Sequence, residues 1–85
     1  MPQIEANYLV YDEQLNHLDS FANDQGKAEM FAMGRAVEHE ETHAVMLAVP
    51  VGGSDMPELR AVVVYDAIGR EVFRSEAYDS ELIPA

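Results

Sequence analysis

The chain contains no cysteine, no tryptophan and only five lysines and arginines. Without cysteine there is no disulfide framework, no thiolate metal site, no thiol nucleophile and no redox switch. Five basic side chains face sixteen acidic ones, a net charge of −11 with the three histidines neutral. That balance argues against direct binding to nucleic acid or to an anionic membrane, because both need clustered Lys and Arg. No stretch approaches the roughly 18 apolar residues of a membrane span. Met1-Pro2-Gln3-Ile4-Glu5 has neither the basic region nor the apolar core of a signal peptide, so the expectation is a cytoplasmic protein.

What is present is 48% apolar and 25% charged over 85 residues, the balance of one small folded domain, 1–85. A domain of this size hides only about 60–65% of its unfolded surface. Little volume is left for an enclosed active site, which favours a protein that works through its outer surface or completes its core with a second copy.

From Ile4 to Tyr11 apolar residues alternate with others, the period of a strand. Asp12 then precedes Leu15, Leu18 and Ala22, spaced three and four apart. This predicts a short helix over 13–21 capped by Asp12, with a strand over 16–21 as the competing reading. Asn23-Asp24-Gln25-Gly26 is turn chemistry, and Lys27 to Glu38 is an amphipathic helix whose Met30, Met33, Gly34 and Val37 are expected to face a sheet. The apolar run from Thr42 to Val51 reads as a strand buried on both faces, or as a continuation of the helix. Leu59 to Tyr65 and Glu71 to Ala77 read as a hairpin, with Gly69 at the left-handed position of its turn. The tail 78–85 is expected to be loose. The sum is an α+β domain, β-α-α-β-β-β, with an antiparallel-dominated sheet and a helical layer on one face. The second face carries Leu9, Tyr11 and part of the 62–65 run, more apolar surface than one helical layer covers, which hints at a homodimer.

One short motif names a chemistry. His39-Glu40-Glu41-Thr42-His43 has the pattern H-E-x-x-H over five of the 85 residues. It resembles the metal-binding helix of zinc-dependent metallopeptidases. That resemblance implies His39 and His43 as zinc ligands and Glu40 as general base for a hydrolase. Read from the residues alone, the same stretch is a charged helix end, where His39 suits the helix dipole, followed by the start of a strand. On that reading there is no metal, cofactor or catalytic residue.

The charges are segregated. Residues 1–26 hold Glu5, Asp12, Glu13, Asp19 and Asp24 without a Lys or Arg; residues 36–59 hold Glu38, Glu40, Glu41, Asp55 and Glu58, again without one. If the fold gathers the 12–24 segment, the 38–41 corner and the 55–58 loop, they form an extended acidic face. The expected contacts to a partner are Asp12, Glu13, Asp19, Asp24, Glu38, Glu40 and Glu41. In composition the chain is similar to small acidic inhibitors that phages and mobile elements direct against restriction or CRISPR systems, although no motif carries the similarity. These features favour a non-enzymatic module that binds a basic surface of a protein partner, one that otherwise holds nucleic acid. The alternatives are the metal-dependent hydrolase and an oligomeric structural domain whose acidity is incidental.

Overall fold

The structure is a computed structural model and describes residues 6–50, 52–53 and 55–75. The alternating start forms β1 (Asn7–Tyr11), with Tyr8 and Val10 buried and Leu9 half-buried. Asp12 then works as a turn residue rather than a helix cap. Its carboxylate accepts hydrogen bonds from the backbone N–H groups of Gln14 (3.0 Å) and Asn16 (2.9 Å), and from the Asn16 side-chain amide (3.1 Å). The chain reverses, and His17–Ala22 becomes β2 instead of the expected helix over 13–21. Asp favours helix caps and turns through one hydrogen-bonding ability, so the residue did not distinguish them. Pairing with β1 decided for the strand: Phe21 sits opposite Tyr8 and Ser20 opposite Leu9.

Helix α1 (Gln25–His39) starts at Asp24, whose side chain accepts from the Lys27 N–H at 3.0 Å. It stops at Glu40, a left-handed residue (φ 53°) whose N–H returns to the Ala36 carbonyl. The face turned to the sheet is Ala28, Ala32 and Ala36, all fully buried. The expected Met30, Met33 and Val37 face points to solvent, with Met30 72% exposed. The reason is volume. The sheet already presents Tyr8, Val10, Val45, Leu47, Val63 and Tyr65, so the helix approaches closely only where its own side chains are small.

The remaining strands are β3 (His43–Val49), β4 (Glu58–Tyr65) and β5 (Glu71–Arg74). The sheet order is β2-β1-β3-β4-β5 and every neighbouring pair is antiparallel. The fold is therefore α+β with one helix on one face, β-β-α-β-β-β along the chain. β3 is not buried on both faces: His43, Val45 and Leu47 lie under the helix, whereas Ala44, Met46 and Ala48 stay half-buried on the other side. Gly69 in the β4–β5 turn has φ +78°, and a β-carbon there would come 2.5 Å from Val37 Cγ2, so the turn needs glycine for both reasons. Ile4 and Val51 at strand ends, residues 76–77 of the last expected strand, and the tail 78–85 lie outside the described residues.

Ala32→Leu should wedge the helix off the sheet and cost about 1–3 kcal/mol in urea unfolding. Met30→Ala, on the outward stripe, should change stability by less than about 0.5 kcal/mol. Similar losses from both would mean that the alanine seat does not set the packing.

Candidate functional site

Register fixes which acidic residues meet. Tyr11 pairs with Ala44, and His43 with Tyr65. The β1–β2 turn, the α1–β3 corner and the β4–β5 turn therefore share one end of the sheet. Asp12, Glu13, Glu38, Glu40 and Glu41 all come to this end. Asp19 lies along the edge strand β2, opposite Val10. Asp24 caps the start of α1, about 22 Å of helix away from the corner. Asp55 in the β3–β4 connection and Glu58 at the start of β4 lie at that far end as well. The expected single face over 12–24, 38–41 and 55–58 is thus split between two ends, because β3 runs the length of the sheet between the corner and the connection.

Ion pairing separates the carboxylates further. Arg60 binds Glu58 at 2.9 Å and Arg70 binds Asp66 at 3.2 Å. Arg74 holds Glu29 at 2.7 Å and Glu71 at 2.6 Å. Among the described residues, none of the seven candidate carboxylates pairs with a Lys or Arg; Glu38 meets only the neighbouring His39, at 3.2 Å. Three of the seven have local structural jobs. Asp12 holds its turn, Asp24 caps α1, and Asp19 accepts from the Ser20 N–H at 2.8 Å. Glu13, Glu38, Glu40 and Glu41 are left as uncommitted negative charge at one end.

The sequence reading missed the polar network on the helix side of the sheet. Arg74 grips both oxygens of Glu29 while the Tyr65 hydroxyl donates to the same carboxylate at 3.3 Å. The Arg74 guanidinium holds the Glu29 carboxyl below its ordinary range, and burial, then the Glu29 charge, pushes the Tyr65 phenol up to about 12. Backbone N–H donors lower two turn carboxylates in the same direction, chiefly Asn16 for Asp12 and Arg70 for Asp66. Besides the local Gln25 amide at 2.8 Å, the partners of Glu29 are 36 and 45 residues away, so no local signal could have found those two.

The H-E-x-x-H stretch does not lie on one helix. His39 ends α1, Glu40 is the left-handed cap and His43 opens β3. His43 is 2% exposed, and its Nδ1 lies 3.0 Å from the Glu41 carbonyl, so that nitrogen carries the proton. The two imidazoles stack with centroids 6.5 Å apart, folded back on each other by the cap. His43 fills the core beneath the helix end, and the two-His, one-Glu helix face that the zinc reading requires is not formed. Among the described residues, no three His, Asp or Glu side chains gather as a metal site.

The face of the sheet away from the helix has a composition of its own. Cross-strand partners in an antiparallel pair point the same way. Register therefore puts Asn7, Leu9 and Tyr11 of β1 and Ala44, Met46 and Ala48 of β3 on it. Leu59, Ala61 and Val64 of β4 follow, with Phe73 of β5 at one side and His17, Ser20 and Ala22 of β2 at the other. None of these is charged. The helix-side positions of the same strands include Asp19, Glu58, Arg60, Glu71 and Arg74. A groove of about 270 Å³ lined by Tyr11, Leu15, Ala44, Met46 and Leu59 opens on the uncharged face. In comparisons with protein-family models, curated proteins and solved structures, the chain matches none.

The depressed carboxyls carry a pH dependence of definite sign. Glu29, Asp12 and Asp66 bind protons less readily in the folded state than in the unfolded one. Their stabilisation is complete above the ordinary carboxylate range, about pH 4, and is lost as pH falls through the folded values. Thermal unfolding followed by circular dichroism should show Tm falling below about pH 4. Glu29→Gln should lower Tm at pH 7 and flatten that acid slope; an unchanged slope would remove Glu29 from the account.

Proposed function

We propose that the chain is a non-enzymatic acidic interaction module whose carboxylates at the β1–β2 turn and the α1–β3 corner dock on a basic surface of a protein partner. The observation that carries the reading is the distribution of counter-charges. Arg60, Arg70 and Arg74 are spent on Glu58, Asp66, Glu29 and Glu71, whereas Glu13, Glu38, Glu40 and Glu41 share one end of the sheet without a Lys or Arg partner among the described residues. Uncompensated like charges on a small body cost stability through self-repulsion, and a cationic partner relieves that cost on binding. A basic surface that answers such a cluster is of the kind that holds phosphates, so occupancy by this chain would keep nucleic acid off it, the action of a small acidic inhibitor.

The test separates a localised cluster from bulk acidity. One double variant carries Glu13→Lys and Glu40→Lys; a second, of equal net charge, carries Asp55→Lys and Glu58→Lys at the far end of the sheet. Each competes with a labelled single-stranded oligonucleotide for an arginine-rich peptide, read by fluorescence anisotropy over a salt series. The first variant should compete about tenfold less well than the second and show a flatter salt dependence. Equal losses from the two would overturn the proposal.

A further inference from the structure

We propose that a second copy of this chain covers the helix-free face, so that two sheets pack against each other and enclose Met46 and Leu59. This goes beyond the acidic end and does not depend on it. The first argument is charge. Two molecules of net charge −11 repel, and association is least opposed across a surface that carries none of that charge. The register leaves one broad surface of that kind, and it is the face without a helix. A cationic or anionic partner would require charged groups on the face, and among the described residues it has none.

The second argument is shape and area. Five strands about 4.8 Å apart and about 20 Å long give each copy a plan area of roughly 450 Å². Side-chain relief raises the accessible area, so two copies together hide about 1,000 Å² or more, the size a specific interface needs. Ala44, Ala48 and Ala61 alternate with Tyr11, Met46 and Leu59 across the middle strands, and the groove among them provides hollows beside knobs. Such relief lets sheets approach to the roughly 10 Å of face-to-face packing.

The third argument is Leu15. It occupies a left-handed turn position (φ 66°) that Gly or Asn adopts at far less cost, and its side chain is 79% exposed at the rim of the groove. Within one copy the hydrogen bonds of the turn, the Leu15 N–H to the Asp12 carbonyl at 3.0 Å among them, hold this conformation but leave the side chain in solvent. A second copy would bury it.

Sedimentation equilibrium of the full chain, in concentrations up to about 0.5 mM, should show a species of twice 9.5 kDa. Leu59→Glu and Leu15→Glu replace side chains already 40% and 79% exposed, so both should keep the far-ultraviolet dichroism of the fold. Each should raise the dimer Kd by about tenfold or more. Leu15→Gly should also weaken the dimer while raising Tm of the dilute monomer, opposite signs that a purely structural leucine would not give. The proposal is overturned by a wild-type chain that stays at 9.5 kDa throughout. It is equally overturned by a dimer that survives both glutamates, or by one that Met30→Glu dissolves and Leu59→Glu does not. Dimerisation only after the chain is shortened to Ser75 would assign the face to the chain's own last residues and also overturn it. Because Leu59, opposite Ala48, lies away from the acidic end, competition of Leu59→Glu for the arginine-rich peptide can fail or succeed separately.

Discussion

The structure rests on a mismatch of widths. A helix is about 10 Å across, and a sheet of five strands is about 24 Å wide. One 15-residue helix therefore cannot cover even one face by itself. It covers the middle by coming close, which Ala28, Ala32 and Ala36 allow, and the edges are reached by longer side chains. On the β2 side Phe31 of the helix meets Phe21 with ring centroids 5.6 Å apart. On the β5 side Glu29 reaches Arg74 and Tyr65. The core is thus a narrow apolar strip flanked by an aromatic pair on one side and an ion-pair network on the other. Bigger residues in the strip would lift the helix and break both outriggers together.

That arrangement accounts for an inversion in the sheet. An uncovered face of an antiparallel sheet normally alternates polar residues outward. Here the charged strand residues stand on the helix side, at its flanks, where Arg74 ties β5 to the helix and Arg60 pairs with Glu58. The opposite face is left to alanine, leucine, methionine, tyrosine, valine and phenylalanine, with the polar Asn7, Ser20 and His17 on the β1–β2 side. Among the described residues, acidic side chains are absent from the strip under the helix, where they would lose hydration, and from the helix-free face; Asp19, Glu29 and Glu71 stand at the flanks of the strip. Glu13, Glu38, Glu40 and Glu41 lie in turns and corners, off both apolar surfaces.

Much of this was legible in the residues. Periodicity located β1, β4 and the helix to within a few positions, a continuous apolar run marked β3 with a continued helix as the competing reading, the turn residues 23–26 announced the helix start, and Gly69 announced the last turn. These signals are local, and local chemistry decided them. The misread parts were those in which distant partners decide. Leu15, Leu18 and Ala22 fit a helical spacing, but pairing with β1 made that segment a strand. Met30, Met33 and Val37 are the more hydrophobic stripe, yet the bulk on the facing sheet selected the alanines instead. The segregation of acidic residues was visible along the chain. Which of them would keep company depended on register, which brought the 12–13 turn to the 38–41 corner and sent Asp24 and Asp55 away. H-E-x-x-H is a pattern of identity, and its meaning lay in the left-handed Glu40, which no residue type at that position advertised.

The two proposed contacts would respond to ionic strength in opposite senses, and this would connect them. Contact of the acidic end with a cationic surface is a long-range attraction that salt screens within about 10 Å at 0.1 M. Contact between two uncharged faces gains from the same screening, because what opposes it is the mutual repulsion of two chains of charge −11. On the two proposals, at low salt the repulsion would hold copies apart while the attraction to a basic partner would be strongest, and at high salt the order would reverse. A basic partner bound at the corner would lower the net charge of each copy, so its binding would also remove part of the barrier to face-to-face packing. The acidic end would then act on the apolar face without any change of shape, through the charge that both copies share.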